Sequence, residues 1–239
     1  MAISKKPSPD MQKLIDAYNL LVKGIDEEAH NNDERAYGGV VRAGKGILVE
    51  SIAKNIVEIA WKELGGDKGR LSLKKKVIKI PINKRYIKNI KTPEIKEYIQ
   101  KNISECYYNL KTDIHVHIDN KFVIGVECKA YAENAMMKRI LVDFTLLRQV
   151  YSSLSCVLFQ LESQLGGDYS KISKSITLGS FPTHTLMSYF DVDLIVITLL
   201  EGERKVKRPI HKPEFFKELQ PFSIVKAVEI FKGLLKEDL

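Results

Sequence analysis

Asp113, Glu127 and Lys129 are the residues whose types and spacing fit a reaction. They lie in TDIHVHIDNKFVIGVECK (112–129), which reads as two short strands joined by a polar turn, Asp119-Asn120-Lys121. Ile114, Val116 and Ile118 alternate with Asp113, His115 and His117. On the second arm Phe122, Ile124, Val126 and Cys128 alternate with Val123, Gly125, Glu127 and Lys129. Folded antiparallel about Asn120, the arms pair Ile114 with Val126, Val116 with Ile124 and Ile118 with Phe122, which makes one apolar face. The same register sets Asp113 opposite Glu127 on the other face, with Lys129 one pleat further on. A one-residue slip would send each apolar set to the wrong side. The turn is the weak point: a three-residue loop asks for a left-handed residue, and Lys121 would have to supply it.

Facing carboxylates cost roughly 0.2–1 kcal/mol in a sheet unless a cation sits between them. A hard divalent metal on oxygen ligands, with an ammonium beside it, meets that need. Phosphodiester hydrolysis uses this combination. The metal polarises the phosphate and acidifies its bound water, while lysine stabilises developing charge or orients the nucleophile. The competing reading is a surface ion pair of Lys129 with Glu127 or Asp113, worth little in stability. Glu-x-Lys triplets are common, and Glu94-Ile95-Lys96 is another in this chain. Hairpin register, apolar flanks and an upstream aspartate set the 113–129 instance apart.

Asp113, thirteen intervening residues and Glu127-Cys128-Lys129 together resemble the D…(D/E)-x-K core of the PD-(D/E)XK nucleases. Type II restriction endonucleases are the nearest match in size. The resemblance covers the hairpin and, more loosely, the helix before it. Proline usually precedes the first acid in that family, and here the residue is Thr112. The resemblance implies a Mg²⁺-dependent endodeoxyribonuclease that cuts specific sites in double-stranded DNA. Asp113, Glu127 and the main-chain carbonyl of Cys128 would hold one or two Mg²⁺ per active site, and Lys129 would orient or activate water. It also implies a further acid from a preceding helix: Glu50 is the candidate, near Lys45, with Glu58 second. A plain i,i+4 pair of Glu50 with Lys54 competes with that role. DNA contacts are expected from Lys45, Asn134, Lys138, Arg139, Lys171 and Lys174. Asn and Arg are the side chains that read adenine and guanine bidentately. Cutting both strands of a short palindrome calls for two sites on a twofold axis, hence a homodimer. The alternatives are a junction resolvase or repair nuclease with the same core, or a non-catalytic DNA-binding protein. His115-x-His117 as a zinc or iron site is a remoter one, because no third ligand stands at motif spacing.

Several elements must position these residues. Helical periodicity runs from Asp10 to about Glu28, and a polar loop is expected over 31–39. A second helix is expected from about Gly44 to Leu64, with Gly65-Gly66 as its stop. Val77, Ile78, Ile80 and Ile82 mark a basic strand, with Pro81 at an edge. Thr92-Pro93-Glu94 opens a helix reaching about Cys106. After the hairpin, 130–151 is strongly helical, its methionines serving packing, and 155–161 is a strand that completes a β-α-β crossover. Residues 164–185 read as a long functional loop. The near-continuous apolar run 192–200 reads as a central strand, and 222–236 as a closing amphipathic helix. The expected fold is α/β, a central mixed sheet flanked by helices on both sides with the hairpin near its middle. It forms a single catalytic and DNA-binding domain over 1–239, with a helical N-terminal segment, 1–40.

Composition agrees with a polyanion partner. The net charge is +8, and from Lys68 to Lys91 there are ten Lys or Arg and no acid. A second basic run, 204–208, follows the last expected strand. Segregated positive charge favours nucleic acid, with salt-sensitive affinity, although lysine also guards edge strands. No apolar run approaches a membrane span and no signal-peptide pattern opens the chain, so a cytoplasmic protein is expected. Cys106, Cys128 and Cys156 lack zinc spacing and read as buried thiols.

Overall fold

The computed structural model describes residues 6–30, 34–170 and 180–239, with the side chains of 23, 25–30, 34–40 and 42 excepted. Helix α1 spans Pro9–His30 and α2 spans Glu34–Glu63. Most of the polar stretch expected as a loop is therefore the first turns of α2, which runs through position 40 without a break. Short strands follow, β1 (Leu71–Ser72) and β2 (Ile78–Pro81), then helices α3 (Lys84–Asn89) and α4 (Pro93–Lys101) and strand β3 (Tyr107–Leu110). The hairpin is β4 (Ile114–Ile118) and β5 (Lys121–Ala132). Helix α5 (Asn134–Val150), β6 (Ser155–Ser163), α6 (Phe181–Ser188), β7 (Leu194–Thr198) and α7 (Pro221–Leu235) complete the order.

The five-stranded sheet has the order β1-β4-β5-β6-β7, and β2 pairs with β3 in a separate ribbon. Strands β1, β4 and β5 run antiparallel to their neighbours, and β5-β6-β7 are parallel, so the sheet is mixed. The basic strand expected over 77–82 is β2, and Leu71–Ser72 adds a short strand to the main sheet. Pro81 stands opposite Tyr107 in the outer ribbon, where a missing N–H is tolerated. Strand β7 lies at the sheet edge, not its centre. Its apolar run reflects cover on both faces: Ile197 and Leu199 join one cluster, Leu194 and Val192 the other.

Those two clusters are the two layers around the sheet. Tyr18, Ile52, Trp61, Val126, Phe159 and Phe231 fill the side of α1, α2 and α7. Met137, Phe144, Leu147 and Leu158, with the β2–β3 ribbon, fill the side of α5 and α6. Strand β5 takes β4 on one side and β6 on the other, and most of it is fully buried.

The hairpin departs from the expected register at its tip. Ile114 pairs with Val126 and Val116 with Ile124, as read, but His117 pairs with Phe122 and Ile118 with Lys121. A bulge at Val123 absorbs the difference. The turn is Asp119-Asn120 alone, with φ of 49° and 68°, so Lys121 stays in the strand. Asp and Asn tolerate the left-handed region, and a two-residue turn with both φ positive matches the twist of the flanking strands. The bulge also moves Phe122 off the Ile118 face. Its ring stacks on His115 and His117, at centroid distances of 4.6 and 5.2 Å, while Val123 joins the main cluster.

Candidate active site

The three hairpin residues converge where β4 begins. Asp113 Oδ2 accepts the Cys128 N–H at 2.9 Å, which locks the start of β4 against β5. Lys129 Nζ lies 2.9 Å from Glu127 Oε2 and 3.5 Å from Asp113 Oδ2, so one ammonium touches both carboxylates. Lys75, from the basic segment between β1 and β2, approaches Asp113 Oδ1 at 3.3 Å. Exposure rises along the strand: Glu127 is 8% exposed, and Lys129 and Tyr131 are half-buried. Alternation places Glu127 and Lys129 on one face.

The electrostatics separate the two acids. Burial pushes Asp113 up, but the Cys128 N–H and the charges of Lys129 and Lys75 outweigh it and leave its pKa lowered. Burial pushes Glu127 to about 7, aided by the neighbouring Asp113 charge and opposed by Lys129. Burial lowers Lys129, yet Glu127 and Asp113 more than restore it, so it stays an ammonium at neutral pH. Two carboxyls whose environments drive their pKa values apart are a common feature of catalytic sites.

Among the described residues, no three His, Cys, Asp or Glu side chains come together to hold a metal ion. Asp113 and Glu127 form a pair of hard oxygen donors whose mutual repulsion is offset by ammonium groups. That donor set fits Mg²⁺, which keeps several waters and binds through one or two carboxylates plus substrate phosphate. Glu50 is tied to Lys54 at 2.7 Å, the i,i+4 pair weighed against its metal role, and its charge acts on the buried Cys128 thiol. Glu58 is exposed and lines a groove of about 570 Å³ between α1, α2 and residues 66–73, which Asp113 and Glu127 do not line. Asp143 on α5, the i,i+4 neighbour of Arg139, adds its charge to the surroundings of Glu127. Lys75 was hidden among the other lysines of its run.

Other expected site residues are scattered. Asn134, the first residue of α5, accepts the Thr183 hydroxyl at 2.7 Å and so ties α5 to α6. Lys138 and Arg139 are exposed on α5, with Arg139 3.8 Å from Asp143. Tyr131, expected in the helix, ends β5 instead, because β5 runs on to Ala132. Lys45 is half-buried on α2, and Lys171 and Lys174 lie outside the described residues. His115 is fully buried with ring nitrogens 3.2 and 3.4 Å from the Thr112 and Lys76 N–H groups. Burial depresses its pKa to about 4. A neutral imidazole accepts at one nitrogen only, and the shorter contact, at Nε2, is the better hydrogen bond. Cys128 and Cys156 are buried, whereas Cys106 is partly exposed.

No protein-family model matches the chain. A curated relative, the type II restriction enzyme DdeI of Desulfomicrobium norvegicum, is 52% identical over 235 residues, 96% of each chain. The chain belongs to the type II restriction enzymes. It is a site-specific restriction endonuclease, which sets aside the resolvase, repair-nuclease and non-catalytic readings. A solved restriction enzyme, the native BbvCI A2B2 tetramer, covers 95% of this chain and 88% of its own at 10% identity, but its TM-score of 0.37 is too low to argue from. No helix among the described residues of this restriction enzyme is long and apolar enough to cross a membrane.

Proposed function

We propose that this restriction endonuclease cleaves double-stranded DNA at a PD-(D/E)XK-type centre made of Asp113, Glu127 and Lys129. The observation that carries this is the shared grip of both carboxylates on one ammonium where β4 begins. Asp113, Glu127 and the Cys128 carbonyl would hold Mg²⁺, which supplies phosphate polarisation and an acidified water when bound. The chain's own residues do the rest. Asp113, fixed by the Cys128 N–H, keeps its charge and orients the β4 end of the site. Burial leaves Glu127 about half ionised at neutral pH, so a bound divalent cation would complete its ionisation. Lys129 stays protonated, so it stabilises charge developing on phosphorus oxygens and orients the nucleophile instead of removing a proton. Glu50 stands on the α2 side as the acid available for a second Mg²⁺. The whole chain acts as one catalytic and DNA-binding domain, and two copies on a twofold axis address the two strands of a palindrome. It works in the cytoplasm.

Plasmid DNA incubated with the protein and Mg²⁺ should yield discrete fragments. Asp113→Ala should abolish cleavage while DNA binding in EDTA persists. Full cleavage by that variant would remove Asp113 from the centre.

A further inference from the structure

The end of the β5–β6 pair carries a group that the cleavage chemistry does not use. Arg204 sits 3.6 Å over the Tyr131 ring, and its guanidinium donates to Gln164 Oε1. Its own N–H bonds the Ser163 carbonyl at 2.7 Å, so both ends of the residue are fixed. No carboxylate among the described residues pairs with it. Close by, Glu162, 3% exposed, holds Lys217 at 2.9 Å, and Lys45 feels the charges of both Glu162 and Arg204. Three cations thus lie around one buried carboxylate, with the exposed Glu201 and Glu203 on the turn before Arg204.

The placement matters as much as the charge. Tyr131 is two residues beyond Lys129 on the same strand, roughly 6.6 Å along it. A planar guanidinium, stacked and latched, keeps its remaining N–H donors oriented before any ligand arrives, and a phosphate is the anion that such a fork fits. We propose that Arg204, seated on Tyr131 with Lys45 beside it, clamps a DNA phosphate next to the one that is cut. This rests on Lys129 marking the cut phosphate. Arg204 is a positioning residue: it holds the strand, and the reacting atoms lie elsewhere.

The test is fluorescence anisotropy in EDTA on a duplex of about 20 base pairs spanning the mapped cut, with single phosphates replaced by methylphosphonate. Arg204→Ala should weaken binding about tenfold and lower the salt slope by about one, with thermal stability checked alongside. Neutralising one phosphate beside the cut should weaken the wild type similarly and leave Arg204→Ala unaffected. An unchanged salt slope, or a variant still sensitive to every phosphate that the wild type senses, overturns the clamp. Should Arg204→Ala not fold, Arg204→Lys keeps the charge without the fork. It should lose affinity at that same phosphate, and a loss spread evenly over all phosphates overturns the proposal. Cleavage by Asp113→Ala would sink the active-site reading, yet the anisotropy result would stand, so the two failures are distinguishable.

Discussion

The β4–β5 hairpin carries two polar centres that solve burial in opposite ways. At one end Asp113, Glu127 and Lys129 keep their charges or stand at the edge of keeping them, with Glu127 at about 7 and Lys129 raised. A few residues away burial shifts His115 and His117 toward the neutral form. Both are lowered by burial, and both stack on Phe122. One centre opens outward along β5 and the other is sealed by aromatic rings. A buried group that stays close to ionisation is costly, and the cost is tolerated where a cation or a phosphate is to be bound. Where nothing is to be bound, the chain removes the charge and fills the space.

Removing the charge from the first centre should make it behave like the second. Glu127→Gln is expected to lower cleavage by roughly a thousandfold, the scale of losing one key electrostatic contact in a transition state. The same change should raise the melting temperature of the metal-free protein by roughly a few degrees at pH 8, since an unfavourable buried charge is gone. Plasmid cleavage and thermal unfolding measure the two effects. A variant that loses stability at pH 8 would show that Glu127 is well paired and not strained.

Emptying the second centre should do the reverse. Phe122→Ala removes the ring on which both histidines stack and against which Tyr151 packs edge-on at 5.3 Å. The expected loss is about 3–5 kcal/mol, typical of a buried aromatic truncation. Cleavage per folded molecule should be close to wild type. Urea unfolding paired with cleavage at low temperature separates the two, and a proportionate loss of activity would mean that the histidine side also shapes the catalytic end.

The sequence made these two ends unequally legible. The Asp113 end follows from alternation over Ile114–Val116 and Ile124–Val126, where each pair has a single buried face to satisfy. The tip does not follow, because a bulge at Val123 and a left-handed Asp119-Asn120 turn shift the register without altering the apolar pattern. The helices and the β-α-β crossover were readable from periodicity, although the start of α2 was concealed by polar residues. The edge position of β7 was not readable, since burial by helices and burial by strands leave the same apolar run. Asp143 and Arg204 reach their sites only through tertiary packing, so neither has a local signal. Glu50 is placed by its helix, but no spacing rule distinguishes a metal acid from a partner of Lys54.

The smallest effect is also the most diagnostic, because the two centres titrate in overlapping windows with opposite sign. Glu127 has a folded pKa of about 7, above its ordinary 4.5. Its favourable contribution is complete below 4.5 and is lost as pH rises through 7. His115 has a folded pKa of about 4, below its ordinary 6.5, and His117 is shifted the same way. Their contribution is complete above 6.5 and is lost as pH falls toward 4. Between about pH 4.5 and 6.5 the two trends oppose each other, and wild-type stability should be nearly flat. Glu127→Gln should uncover the histidine trend, with stability falling as pH drops at up to about 1.4 kcal/mol per pH unit for each proton taken up. His115→Gln should uncover the other, with stability relative to the wild type rising toward low pH. Asp113, lowered from 3.8, acts only below this window. Urea unfolding at pH 4.5, 5.5 and 6.5 reads all three proteins. Parallel pH profiles for them would show that the charged and neutral ends of the hairpin do not differ in the way their burial implies.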